Sequence, residues 1–251
     1  MSSPTPRLRM FAGPNGSGKS TLKAVLPSEL VGVYLNADEI EQAVRGIGHL
    51  DLTSYGVSTS AEEILGFFSG SSFLHSVGLG NAAHELTYAE GRLDFTRTTV
   101  NSYLASVAVD FLRSHLLRTR TSFTFETVMS HPGKVEFLAR ARREGFRTYL
   151  YYVATDDPAI NVARVRNRVA QGGHAVPEDR ILSRYHRSLD LLASAIRHVD
   201  RAYIFDNSGD GRDPGLTWLA EVTGGDELVL RSERIPSWFE RAVIDPTQRH
   251  P

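Results

Sequence analysis

The sequence predicts an α/β protein: a mainly parallel sheet with helices on both faces and a helical insertion in its first half. Three observations carry this. Short apolar runs ending in Gly, Asn or Asp alternate with stretches of helical periodicity from Arg7 to Phe205. No internal repeat and no evident linker divides the 251 residues, which are read as a single domain, 1–251, with the insertion at about 49–98. The composition, 41% apolar and 23% charged, is that of an ordinary globular chain.

Arg7 to Ala12 reads as a buried strand, followed by a glycine-rich turn and a helix from Lys19 to about Leu26 that Pro27 stops. Val31 to Leu35 is a second short strand, and the chain turns helical after Asn36-Ala37-Asp38. From His49 to Asp94 the sequence is rich in Gly and Ser and reads as short helices and loops, with Ser60 and Glu63 forming a capping box. Val100 to Leu116 has the i, i+3, i+4 spacing of an amphipathic helix. Ser122 to Thr127 is a strand, His131 to Arg143 a helix with Pro132 in its first turn, and Arg147 to Ala154 a strand. Asp157 to Ala170 is helical, with Val162, Val165 and Val169 as its apolar face. Pro177 opens a long helix to about Val199, and Ala202 to Phe205 is the last parallel strand. A hairpin (216–222 and 227–230) and a terminal helix around Trp238 to Val243 close the chain.

Composition excludes several classes of function. The chain has no cysteine, which removes disulfide scaffolds, thiolate zinc sites, iron–sulfur clusters and thiol nucleophiles. A formal net charge of −1 argues against a surface that grips nucleic acid throughout. No apolar run reaches the roughly 18 residues of a membrane helix, and the first ten residues lack a signal-peptide core, so the expectation is a soluble, cytoplasmic protein without membrane contact. Only three of the 28 basic residues are lysines, and the arginines crowd between Arg140 and Arg201. Arginine presents a planar fork suited to phosphate.

The strongest motif is Gly13-Pro14-Asn15-Gly16-Ser17-Gly18-Lys19-Ser20, a match to G-x-x-x-x-G-K-[ST] at each fixed position, set between a strand and a helix. Its glycines let successive N–H groups turn toward phosphate oxygens. Lys19 reaches the β- and γ-phosphates, and the Ser20 hydroxyl ligates Mg²⁺. Gly13, Pro14, Asn15, Gly16, Ser17, Gly18, Lys19, Ser20 and Thr21 are therefore the expected nucleotide-binding residues, with ATP as the nucleotide and GTP as the alternative. The fold class is narrowed to that of P-loop NTPases and kinases.

The acids that follow suggest the reaction. Asp38 lies 19 residues after Lys19 at the carboxyl end of the second strand, where ligands of open parallel sheets bind. A carboxylate there can orient an acceptor hydroxyl and take its proton, or it can simply cap the helix it precedes. Glu126, again at a strand end, can hold substrate hydroxyls, and Thr127 can touch a phosphate; a plain loop acid is the other reading. Asp206 and Asn207 end the last parallel strand, an edge that in this class of fold often meets the base, so Asn207 is an expected nucleotide contact. Arg164 and Arg168, four apart on one helix, share a face, Arg166 points elsewhere, and Gly172-Gly173-His174 follows. This is the pattern of a kinase lid whose arginines neutralise charge on the transferring phosphoryl group, against the alternative of a solvated helix face. The nine histidines show no metal-ligand spacing.

Together the phosphate loop, Asn36-Ala37-Asp38, Phe125-Glu126-Thr127, the arginine-bearing helix with its Gly-Gly-His turn, and Phe205-Asp206-Asn207-Ser208 resemble the zeta toxin family, in particular a branch also described as ABC-type ATPases. The resemblance covers most of residues 7 to 208. It implies a kinase that uses ATP and Mg²⁺. In characterised zeta toxins the acceptor is the 3′-hydroxyl of the sugar in UDP-N-acetylglucosamine. Its phosphorylation blocks cell-wall synthesis, and a small helical antitoxin covers the ATP site. By position, Asp38 matches the catalytic base, Lys19 the phosphate-loop lysine, Glu126 an acid near the sugar, and Arg164 or Arg168 a lid arginine. Two positions depart from the pattern: Glu41 stands where an arginine often follows the base, and His174 where a second lid arginine is expected, making His174 a candidate substrate contact. A small-molecule hydroxyl acceptor and an antitoxin partner are thus the expected companions. The rival readings are an ATPase motor, for which no apolar strand ending in Asp-Glu is present, and a kinase of nucleotides or nucleic-acid ends.

Overall fold

The computed structural model describes residues 4–173, 175–209 and 216–245. In chain order its elements are β1 (Arg7–Ala12), α1 (Lys19–Val25), α2 (Ser28–Val31), β2 (Val33–Leu35), α3 (Ala37–Ile47), β3 (His49–Asp51) and a 3-10 turn (Thr53–Tyr55). Then follow α4 (Ala61–Ser69), α5 (Ser72–Ser76), α6 (Gly80–His84), β4 (Thr87–Ala89), β5 (Arg92–Asp94), α7 (Ser102–Arg118) and β6 (Phe123–Thr127). The remainder comprises α8 (Pro132–Arg143), β7 (Arg147–Ala154), α9 (Pro158–Ala170), α10 (Glu178–Asp190), α11 (Leu192–Arg197), β8 (Arg201–Asp206), β9 (Thr217–Thr223), β10 (Glu227–Leu230), α12 (Ser237–Phe239) and a π-helical turn (Glu240–Ile244). The chain forms two compact units, one made of Met1–Gly32 with Glu126–Pro251, the other of Val33–Phe125.

In the first unit the strands run in the order β10-β9-β8-β7-β1. β1, β7 and β8 are parallel, with Leu8 opposite Thr148 and Leu150 opposite Ala202, and the β9–β10 hairpin adds two antiparallel strands at the edge. Leu8, Met10, Phe11 and Ala12 are all fully buried, so β1 is covered on both faces, as a central parallel strand must be. β8 instead alternates buried and half-buried residues, the signature of a strand covered on one side. Leu22, Leu150, Tyr152, Ile204, Trp238 and Phe239 fill the core of this unit.

In the second unit β2 and β6 pair in parallel, Leu35 opposite Phe125, and β6 continues to Thr127. α3 packs on α7, burying Ile40, Val44, Leu104 and Leu112. The segment expected to hold only short helices and loops also contains a three-stranded antiparallel sheet, β3-β5-β4. Its strands are too short to show an alternating pattern in the sequence. The Ser60 cap is present, its hydroxyl accepting from Glu63 N at 3.1 Å.

Two expected boundaries and one expected core position shift. The second strand begins at Val33, because residues 28–31 form a helical turn and Gly32 leaves it at φ 58, ψ −139, a conformation that favours glycine. The long helix after Pro177 is two helices that meet at Leu191. Val169, expected on the apolar stripe of α9, is 37% exposed; the buried stripe is Val162 and Val165 against Ile181, with Val176 and Leu182 packed beside them. No helix among the described residues is long and apolar enough to cross a membrane.

Candidate active site

The phosphate loop occupies the turn between β1 and α1 and is fastened from three sides. The side-chain amide of Asn161, fully buried on α9, donates to the Asn15 carbonyl at 2.6 Å. That of Asn207, just past β8, donates to the Ser17 carbonyl at 2.7 Å. Lys19 Nζ donates to the carbonyls of Gly13 and Pro14, each at 2.9 Å. The partners are held in turn: Thr155 Oγ1 donates to Asn161 Oδ1, Tyr185 OH donates to the Thr155 carbonyl at 2.6 Å, and Asn207 N donates to the Ala154 carbonyl at 2.8 Å. Burial pushes the Tyr185 phenol up to about 12, so it stays a donor across the physiological range.

The loop tolerates only glycine where the supports approach. A Cβ on Gly16 would lie 2.6 Å from the Asn161 carbonyl oxygen, and one on Gly18 would lie 2.1 Å from Asn207 Nδ2. Both glycines also have positive φ, 73° and 98°. Gly18 caps α1 and makes no side-chain capping bond to that helix. Asn15 Oδ1 and Ser17 Oγ are buried without a hydrogen-bond partner among the described residues, while Ser20 is exposed.

Glu126 lies beside the loop: Oε1 is 3.9 Å from Lys19 Nζ, and the carboxylate side chain is 17% exposed. The segment after it is tightly shaped. Thr127 Oγ1 accepts from Met129 N at 3.1 Å, and Met129 is fully buried with φ 54°, a costly conformation for a side chain of its size. Ser188 Oγ donates to the Val128 carbonyl at 2.8 Å and shares a hydrogen bond of 2.9 Å with Tyr152 OH. Thr127 thus shapes the turn that carries Glu126.

On α9, Arg164 is half-buried, and its Nη2 donates to the Gly209 carbonyl at 3.1 Å. Burial lowers its pKa, with the charge of Asp206 opposing that shift, and its Nη1 has no hydrogen-bond partner among the described residues. Arg168 is exposed, and its carbonyl accepts from Gly173 N at 2.9 Å, closing the end of the helix. Arg166 points to the other side and pairs with Glu178 at 2.5 Å. His174 lies outside the described residues.

Asp206 is structural: Oδ1 accepts from Ser208 Oγ at 2.7 Å and Trp238 Nε1 at 2.8 Å, and Oδ2 accepts from Ser208 N at 3.0 Å. In the second unit the cap of α3 is Asn36, whose Oδ1 accepts from Asp38 N at 2.9 Å and Glu39 N at 3.4 Å. Asp38 is therefore in the first turn, exposed, and is not the capping residue. Glu41, at the position where the family pattern often has arginine, is 3% exposed and paired with Arg45 at 2.5 Å.

The first unit thus brings together Lys19, Glu126, Asn207 and the phosphate-loop backbone. Sequence reading did not find Asn161, Thr155 or Tyr185. Their signal was faint: Asn161 is a polar residue on the helix face that otherwise presents Val162 and Val165, and such a residue in a buried stripe needs a specific partner. Among the described residues no three His, Asp or Glu side chains gather as a metal cluster. The donor set instead suits an ion bound through one hydroxyl, Ser20, and phosphate oxygens.

Comparison with known proteins agrees with this reading of the fold. The family model described as AAA domain matches residues 8–192. An uncharacterized protein of Haemophilus influenzae is 30% identical over 69 residues, 28% of this chain and 49% of that protein. The chain therefore spans about half the length of that curated relative. Among solved structures, the native AvrRxo1-ORF1:-ORF2 complex is similar with TM-score 0.54 and 13% identity, over 95% of this chain and 63% of the other. The same complex with ATP has TM-score 0.50 and 12% identity over 90% and 61%. The PezAT toxin–antitoxin system of Streptococcus pneumoniae has TM-score 0.49 and 13% identity over 99% and 85%.

Proposed function

The chain belongs to the AAA domain family, and from that premise we propose that it is an ATP-dependent phosphotransferase of zeta-toxin type, moving the γ-phosphate of ATP to a hydroxyl of a small molecule. The observation that carries the proposal is the pairing of a braced phosphate loop with an acid beside its lysine, Glu126 at 3.9 Å from Lys19. A purely structural glycine turn has no use for either.

The residues fit the triphosphate. The close approaches at Gly16 and Gly18 keep the cradle free of side-chain atoms, and the loop amides and Lys19 supply the charge complement for β- and γ-phosphates. Ser20 is the residue that would hold Mg²⁺, and the ion would supply positive charge to offset that of the phosphates. The fold is shared with a chain solved with ATP, which supports ATP, with GTP as the alternative, as the nucleotide to test first.

In the proposed reaction the acceptor oxygen bonds to the γ-phosphorus, the bond from that phosphorus to the bridging oxygen of ADP breaks, and the acceptor proton passes to the Asp38 carboxylate. Asn36 caps α3, so helix capping does not account for Asp38. Glu126 and Thr127 are assigned to the acceptor side, Glu126 accepting hydrogen bonds from substrate hydroxyls. Arg164 is assigned to the transferring phosphoryl group, because it combines partial burial with a guanidinium nitrogen that has no partner among the described residues; Arg168 is its neighbour on the same helix. Asn207 is assigned to positioning the loop. UDP-N-acetylglucosamine is the leading acceptor, residues 33–125 with their insertion at about 49–98 set acceptor choice within one kinase domain, and the chain is the toxin of a toxin–antitoxin pair acting in the cytoplasm. The test is mass spectrometry of a metabolite extract, and of UDP-N-acetylglucosamine alone, after incubation with the protein, Mg²⁺ and ATP. A species heavier by one phosphoryl group supports the proposal; turnover of ATP with no phosphorylated organic product contradicts it.

A further inference from the structure

At the amino ends of β7 and β8, in the first unit, an open groove of about 610 Å³ is lined by Arg142, Arg147 and Arg201, by Asp200, and by the turn glycines Gly145 and Gly224. The phosphate loop follows the carboxyl end of β1, and Arg7, at the other end, is the Cα partner of Arg147. Strands of this length, at ~3.3 Å per residue, set the groove roughly 20 Å from the loop. None of these residues enters the proposed reaction.

Two of the groove's three arginines, Arg142 and Arg201, are paired with carboxylates, and among the described residues Arg147 is not. Asp200 is engaged: Oδ2 accepts from Thr148 N at 2.7 Å and Thr148 Oγ1 at 3.0 Å, and Oδ1 lies 3.3 Å from Arg142 Nε. Glu221 is divided between Arg201 at 3.1 Å and Arg231 at 3.0 Å. Arg147 is exposed and has no carboxylate partner among the described residues. Its guanidinium lies 5.8 Å over the Tyr149 ring, which also carries the Arg9 guanidinium at 5.3 Å. Arg9 itself is buried, 6% exposed, and does not line the groove. Stacking on Tyr149 limits the freedom of the Arg147 fork, so less entropy is lost when it binds.

We propose that this groove is a second ligand site, binding a small phosphate-bearing molecule with two or more negative charges. Arginine forks bind phosphate oxygens in pairs, and Arg142, Arg147 and Arg201 line one concavity from three different segments of chain. The volume falls within the about 300–1,000 Å³ of ordinary ligand clefts.

The experiment is calorimetric titration of the full chain with pyrophosphate, with the phosphate loop saturated by a non-hydrolysable ATP analogue and Mg²⁺. If the analogue does not bind, the titration is run without it, so failure of the kinase proposal leaves this test intact. The expected result is one binding event that weakens with added salt, weakens at least about tenfold in Arg147→Gln, and is lost in Arg147→Gln/Arg201→Gln. AMP and a 5′-phosphorylated oligonucleotide form parallel arms, and AMP is expected to compete with pyrophosphate. Absence of binding to the wild type, equal binding to the double variant, or binding of the oligonucleotide alone overturns the proposal. Should the double variant fail to fold, Arg147→Gln, which trims only an exposed side chain, carries the test, with its melting curve compared to wild type.

Discussion

Asn207 reaches across 190 positions of sequence to donate its side-chain amide to the carbonyl of Ser17 at 2.7 Å. The end of the last parallel strand thereby sets the shape of the phosphate loop. Asn207→Ala removes this bond and leaves the Ser17 carbonyl without it, an expected loss of about 1–2 kcal/mol in stability. ATP affinity should fall about tenfold in the same variant. Denaturant unfolding and nucleotide titration check both numbers; unchanged affinity would show that the loop holds its shape without Asn207.

Gly18→Ala tests the same contact from the other side. The new methyl would meet Asn207 Nδ2 at 2.1 Å, at a φ of 98° that side chains rarely adopt. Nucleotide binding should drop below detection while far-UV circular dichroism stays near wild type. In the double variant Gly18→Ala/Asn207→Ala the steric part is relieved, so partial recovery of binding is expected.

Arg164, Arg166 and Arg168 form an internal comparison on one helix. Arg164→Ala should lower kcat about 10²-fold with a smaller change in ATP affinity. Arg166 pairs with Glu178, so Arg166→Ala should leave kcat within about twofold, as for an exposed ion pair. Steady-state kinetics on the three alanine variants decides the matter, and equal mild losses would reduce α9 to a solvated face.

Tyr185 links pH to stability. Its folded-state pKa is raised to about 12 from an ordinary value of 10.0. A raised pKa means that the folded state keeps the proton that the unfolded chain gives up. Its contribution is therefore intact below pH 10 and is lost as pH rises from about 10 to 12. Melting temperature should fall through that window, more steeply in wild type than in Tyr185→Phe. At neutral pH the Phe variant should be less stable by about 1 kcal/mol, from the lost bond to the Thr155 carbonyl. Parallel alkaline melting curves for the two proteins would remove Tyr185 from this role.

Much of this was legible in the sequence, and the reason differs from element to element. The loop from Gly13 to Ser20 is local chemistry: its glycines, lysine and serine act through neighbouring backbone, and the flanking strand and helix follow from apolar spacing. The place of Glu126 beside the loop was legible because it lies at a strand end of the parallel sheet, near the end of β1 that carries the loop. Asn161 and Asn207 were different. Their work depends on tertiary contacts with Asn15 and Ser17, and nothing in their own neighbourhood records the partner. Asn207 was expected at the nucleotide base and is found bracing the loop. Asp38 was read as either base or cap, and the cap proved to be Asn36, two residues earlier, because its side-chain Oδ1 accepts from the N–H groups of Asp38 and Glu39 in the first turn. The sheet β3-β5-β4 escaped notice because strands of three residues leave no periodicity to read.

The central claim is transfer to an acceptor hydroxyl with Asp38 as base, and the fate of labelled γ-phosphate tests it most directly. ATP labelled at the γ-position is incubated with the protein, Mg²⁺ and the acceptor, in wild type and in Asp38→Asn. Because Asn36 caps α3, the substitution leaves the helix and ATP binding near wild type. The account predicts label in an organic phosphate ester with wild type, and a fall of roughly 10²- to 10⁴-fold in that product with Asp38→Asn. Label released only as inorganic phosphate, or equal ester formation by the two proteins, contradicts it.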